Sequence, residues 1–144
     1  MKTIFTDIEG VLCAPDTLRQ LKLEDSSVEV NHCALPWAQL LADLLGDVNV
    51  EIVIHSSWRH HYSLVEIKKY FPVVIQGRIV ACVLGHGRYD GILSYIDKNS
   101  IKEFVVLDDI ADFFPENWKY LILCNSDVGL SDPVVQKKLR DFLR

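Results

Sequence analysis

Apolar side chains run almost without interruption through "TIFTDI" (3–8), "VNVEIVIHS" (48–56), "VVI" with "IVACVL" (73–84), "EFVVLD" (103–108) and "YLILCN" (120–125). Runs of this length, rich in Val and Ile, are expected of strands covered on both faces. Between them the period changes. "LPWAQLLADLLGD" repeats its apolar positions at helical spacing, with Pro36 suited to a first turn and Gly46 to a C-terminal stop. "HYSLVEIKKYF" gathers Leu64, Ile67, Tyr70 and Phe71 on one face before Pro72 ends the pattern. "YDGILSYIDKN" and "DPVVQKKLRDFL" are further helices, the last with Asp132 at its N-cap and basic residues downstream. Strands alternating with helices predict a central parallel sheet in a three-layer α/β sandwich, a Rossmann-like arrangement.

One stretch breaks the alternation. Residues 13–35 have little periodicity apart from "VEV", which is suited to a small hairpin. They read as an insertion over the sheet edge, too small for a domain of its own. The expectation is therefore one domain over residues 1–144, with a small insertion at about 13–35. A chain of 144 residues can bury a substantial core.

Composition narrows the class only a little. The chain is 49% hydrophobic and 24% charged, which suits an ordinary globular domain and leaves no tract for disorder. The formal charge of −5 argues against broad binding to a polyphosphate backbone but leaves room for a small basic pocket. Cys13, Cys33, Cys82 and Cys124 show no metal-binding spacing, and Cys82 and Cys124 lie in apolar runs. Without a signal peptide or an apolar run of about 18 residues, the expectation is a cytoplasmic protein with reduced thiols and no membrane partner.

Chemistry is suggested by the residues at the end of each strand. The first run ends in Asp7-Ile8-Glu9, the second in His55-Ser56-Ser57-Trp58-Arg59 and the fourth in Asp108-Asp109. If the three strands are neighbours, four carboxylates, two hydroxyls and an arginine meet at the carboxyl edge, where such sheets place their polar chemistry. Carboxylates packed that closely need a cation, and oxygen ligands with positions left for water and phosphate suit Mg²⁺. Bland readings exist for each piece alone. Asp108-Asp109 and Ser56-Ser57 are both suited to capping a following turn, and Trp58 to packing. His55, His60 and His61 flank the site without a spacing that marks a general base. Asn125 and Asp127 either line a pocket or form a turn in which Gly129 supplies positive φ.

Taken together, these motifs resemble the haloacid dehalogenase-like (HAD) hydrolases. "IFTDIEGVL" is similar to that superfamily's first motif, "IVIHSS" to the second and "FVVLDDIADF" to the fourth, in the right order across residues 4–112. The combination with "GLSDP" resembles in particular the HAD domains of multi-domain RNA repair proteins. The short intervals between motifs resemble members without a large cap domain.

The resemblance implies a phosphatase or phosphotransferase in which Asp7 is the nucleophile and forms an aspartyl-phosphate. It implies Mg²⁺ held by Asp7, the carbonyl of Glu9 and an acid of the Asp108-Asp109 pair. The spacing to Asp112 favours Asp108, while the compact pair allows either. Ser56, with Ser57 as backup, would bind a phosphoryl oxygen, and Arg59, beside the site, is either a phosphate contact or a solvated charge. The third-motif cation falls to Arg88, or second to Lys98. The implied partner is a phosphorylated substrate, a small molecule or a nucleic-acid end.

Glu9 departs from the pattern, which has Asp as the acid–base residue. The extra methylene displaces the carboxylate by about one bond, and a misplacement of about 1 Å can cost about 10²-fold in rate. Two alternatives to an enzyme therefore stand beside the first reading. One is a weakened or inactive module that binds phosphate and Mg²⁺. The other is a receiver-like domain phosphorylated on an Asp.

Overall fold

The computed structural model describes residues 1–15 and 35–144, so the "VEV" hairpin and most of the expected insertion lie outside the described residues. Strands β1 (Lys2–Thr6), β2 (Val50–Ile54), β3 (Ile79–Cys82), β4 (Glu103–Asp108) and β5 (Leu121–Leu123) form one sheet. All pairings are parallel and the order is β3-β2-β1-β4-β5. The helices are α1 (Ala38–Leu45), α2 (Leu64–Lys68), α3 (Val73–Gln76), α4 (Arg88–Lys98) and α5 (Pro133–Leu143).

Each central strand divides its side chains between two cores. Ile4, Ile52, Ile54, Val105 and Leu107 face one side, packed with Leu41 and Leu45 of α1 and Val135, Leu139 and Leu143 of α5. Phe5, Val53 and Val106 face the other, against Ile92 of α4. One helix leaves that second face thinly covered, and aromatic rings supply the missing area. Tyr95 and Phe104 pack edge-on against Phe5, while Phe114 stacks on Trp118. The three-layer expectation holds, and no cap domain stands over the strand ends among the described residues.

Local signals placed most boundaries. Ser63 and Glu66 close a capping box at the start of α2, and the Val134 amide donates to Asp132 Oδ1 at 2.9 Å to start α5. Gly129 takes φ +47°, and a side chain there would overlap the Val11 carbonyl and the Trp37 ring. Two expectations need correcting. "VVI" at 73–75 is not strand but the start of α3, because Val73 and Val74 point to solvent and only Ile75 is buried. Pro72 opens that turn as its N-cap. Pro36 lies just outside α1, whose N-cap is Trp37.

Register now places the strand ends. Thr6 is level with both Ile54 and Leu107. The next residues continue the ladder: the Asp7 amide donates to Leu107 O at 2.9 Å, and the His55 amide to Thr6 O at 3.1 Å. Asp7, His55 and Asp108 thus stand side by side at the carboxyl edge. The chain order runs outward from β1 through β2 to β3, then returns to β4 on the other side. The crevice between β1 and β4 is the switch point where ligands of such sheets sit.

Candidate active site

Asp7 is 3% exposed, and Asp108 is fully buried. Together with Asp109 they present carboxylate oxygens that all lie within 4.8 Å of one another. With so little water between them, three negative charges at this separation repel strongly and need compensation.

Arg88 supplies part of it. As the first residue of α4, its Nη1 donates to Asp7 Oδ2 at 2.7 Å and to Asp108 Oδ2 at 2.9 Å. Its guanidinium lies 4.7 Å from the centre of the Phe113 ring, which gives the fork a second constraint. Burial opposes its charge, but the two aspartates outweigh this and hold its pKa above the ordinary value. Lys98 closes the other end of the same helix. About ten residues of helix separate the two by about 15 Å, so the structure brings Arg88, and not Lys98, to the carboxylates.

The two acids of the β4 end have different surroundings. Asp108 Oδ2 also accepts from His55 Nε2 at 2.8 Å, and Oδ1 accepts from the Ile110 amide at 2.9 Å. Burial alone would raise the Asp108 pKa, but His55, Arg88 and this amide outweigh it and leave it lowered. Asp109, in contrast, keeps a buried Oδ1 without a hydrogen-bond partner among the described residues. Burial, the largest cause, raises its pKa, partly offset by its contact with Asp7. A buried orphan carboxylate oxygen is costly unless something else satisfies it.

Gly10 explains how Asp109 fits. Its φ is +79°, and a methyl group there would overlap the Asp109 carboxylate. Only glycine accommodates both that backbone and that neighbour.

The second strand end carries Ser56, buried, whose Oγ accepts from the Trp58 amide at 3.2 Å and caps the turn Ser57–His60. Ser57 is exposed. Arg59 spends its guanidinium on backbone carbonyls. Its Nη1 donates to His55 O and Ser56 O, and its Nη2 to Gly85 O and His86 O. It thus ties the loop after β3 to the end of β2.

Trp58 is fully buried against Tyr62 and Tyr70, as a packing residue should be. Its indole Nε1 donates to Glu9 Oε1 at 3.3 Å. The Glu9 side chain therefore reaches an anchor in the core. Asn125 Oδ1 accepts from the Asp127 amide at 3.0 Å, so this pair forms the turn. Cys124 is buried, and burial with the nearby acids pushes its thiol up to about 12. Sequence reasoning gave no role to His55. The available signal was an ionisable residue at the last position of an apolar run, level with Asp7.

Burial, and then Asp108, raise the Asp7 pKa from 3.8 to about 6, despite the opposing effects of His55 and Arg88. The folded protein therefore binds this proton more tightly than the unfolded chain does, and stability falls as pH rises from about 4 to about 6. The size is on the order of 3 kcal/mol. Urea unfolding of metal-free protein between pH 4 and 7 should show this fall, and Asp7→Asn should flatten it. Equal slopes for the two proteins would overturn the assignment.

A parallel sheet with an acid-bearing β1, a hydroxyl at the end of β2 and an Asp pair at the end of β4 defines the HAD-like α/β class. Within it, the family described as "HAD domain in Swiss Army Knife RNA repair proteins" matches residues 3–135, and the chain belongs to that family. Comparison with curated proteins and with solved structures gave no match. Among the described residues no helix is long and apolar enough to cross a membrane.

Proposed function

We infer that this domain hydrolyses phosphate monoesters through a covalent phosphoenzyme on Asp7, with Mg²⁺ as its cofactor. The observation that carries this reading is the set Asp7, Asp108 and Asp109 at the ends of β1 and β4, with Asp109 Oδ1 buried and, among the described residues, unpartnered. An all-oxygen donor set with one orphan oxygen suits a hard divalent cation. Asp7 and Asp109 would hold it, with the Glu9 carbonyl that the resemblance implies. Asp108 is already bonded to His55, Arg88 and Ile110, and serves as the anchor. When bound, the ion neutralises phosphate charge so that two anions can approach.

The chain's own residues account for the rest. Arg88 holds Asp7 in place and places a fixed positive charge beside the phosphoryl group. The Ser56 hydroxyl donates to a phosphoryl oxygen while its lone pair keeps the Trp58 amide. Arg59 fixes the backbone that carries Ser56, and Ser57 lies at the open side of the same turn. The Asp7 carboxylate attacks phosphorus as the bond to the leaving oxygen breaks, and Glu9 gives that oxygen its proton. Glu9, now a carboxylate, takes a proton from water, whose oxygen attacks phosphorus and releases Asp7. Trp58 keeps the Glu9 side chain in one orientation for both transfers.

The family's description, together with the lack of a cap over the strand ends among the described residues, favours a nucleic-acid end phosphate as substrate. The direct test is phosphate release from an aryl phosphate with Mg²⁺ and after removal of metal by EDTA. Release should fall to background with EDTA and return on adding Mg²⁺. Release indifferent to metal would sink the cofactor assignment. Oligonucleotides phosphorylated at the 3′ or 5′ end then decide the substrate class.

A further inference from the structure

Near Arg88 lies a second group of basic side chains, among them His60 and His86. The His60 and His86 rings are stacked, with centres 5.4 Å apart and planes 25° from parallel. Both residues are exposed. They come from different elements, His60 from the turn after β2 and His86 from the loop after β3. Arg59 holds the two together, since its Nη2 donates to the carbonyls of Gly85 and His86 while its Nη1 grips the end of β2. The frame of this pair is therefore built by a half-buried arginine, and Arg88 lies two residues after His86.

The groups that act on His60 are all basic side chains. Arg59 and His61 come from its own turn, His86 from the facing loop and Arg88 from the start of α4. The nearest acid of that helix, Asp90 in its first turn, lies against Gly87. Desolvation and then these neighbours lower the His60 pKa below 6.5. In a chain of net charge −5, a concentration of two arginines and three histidines at one corner is not background.

We propose that His60 and His86, framed by Arg59, form a second anion subsite beside Asp7 that takes the next phosphate of the substrate. The substrate class is a phosphate monoester whose leaving group carries a second phosphate. This assignment rests on the reading of Asp7 as the phosphate-accepting group. A terminal phosphate of a nucleic acid and a small bisphosphate share this chemistry.

Steady-state kinetics of the wild-type protein and the His60→Ala/His86→Ala variant test the proposal. The substrates are phenyl phosphate, a nucleoside 3′,5′-bisphosphate and a dinucleotide with a terminal phosphate. The quantity read is the KM for each two-phosphate substrate divided by the KM for phenyl phosphate. Loss of charge-assisted hydrogen bonds should raise that ratio about tenfold or more, and an unchanged ratio would overturn the subsite. A rise for the dinucleotide supports the subsite with a nucleic-acid end, and a rise confined to the bisphosphate supports it with a small molecule. If no substrate turns over, the Asp7 reading fails separately. Inorganic pyrophosphate titrated against the imidazole NMR signals then decides. Saturable shifts of His60 and His86 sustain the subsite, and their absence ends it.

Discussion

Asp7→Asn should lower metal-dependent phosphate release by about 10⁴-fold or more, the scale seen when an acting nucleophile is removed. The amide keeps the shape of the carboxylate but cannot attack phosphorus or leave from it. Its packing consequences are mild. The new side-chain carbonyl can still accept from the Ile8 amide, which donates to Asp7 Oδ1 at 2.8 Å, and Arg88 retains Asp108. Removing a buried charge that Asp108 repels also relieves the folded state at neutral pH. The variant should therefore be folded and inactive, and it should trap no phosphate on the protein after acid quench. A residual rate within about tenfold of the native protein would mean that Asp7 is not the nucleophile.

Glu9→Gln produces the second largest effect, and its size depends on the leaving group. The substituted amide can accept from Trp58 Nε1 as Glu9 does, so the anchor is preserved while the proton is lost. For an alkyl or nucleoside phosphate, whose oxygen must be protonated as it leaves, kcat/KM should fall about 10²–10⁴-fold. An aryl phosphate leaves without that help, so its kcat/KM should change far less. Its kcat should still fall, because water must be activated against the phosphoenzyme, which then accumulates. Equal losses for both leaving groups would remove Glu9 from the acid role. Glu9→Asp addresses the reading of a weakened module. A shorter carboxylate that raises turnover points to an enzyme slowed by its Glu. Inactivity of both forms points to a binding domain.

Much of this site is legible along the chain because its parts sit at strand ends, and strand ends are marked by where an apolar run stops. Asp7, Ser56 and the Asp108-Asp109 pair stand out in that way. Arg88 is picked out only through the resemblance, by its place before the fourth strand, with Lys98 as second candidate. The division of labour within the Asp pair is not legible. It depends on which carboxylate meets His55, Arg88 and the Ile110 amide, and these partners come from three separate segments. The position of Arg59 suggests a phosphate contact, yet its guanidinium bonds four carbonyls, two of them far along the chain. "VVI" at 73–75 misleads because three apolar residues carry no period, and Pro72 sets a helical turn there.

By itself, the chain determined its elements and the chemistry available at their ends. Val- and Ile-rich runs bury both faces in a parallel sheet, Ser63 and Asp132 start helices, and acids stand after the first and fourth strands. These are local properties, written within a few residues of where they act. Only the tertiary structure decided that β4 lies beside β1, and that Asp7 and Asp108 share Arg88. It alone joined Glu9 to Trp58 and stacked His60 on His86. Each of these pairings closes a loop between distant segments. Its geometry is set by sheet order and register, which the packing of the whole core selects and no single stretch encodes.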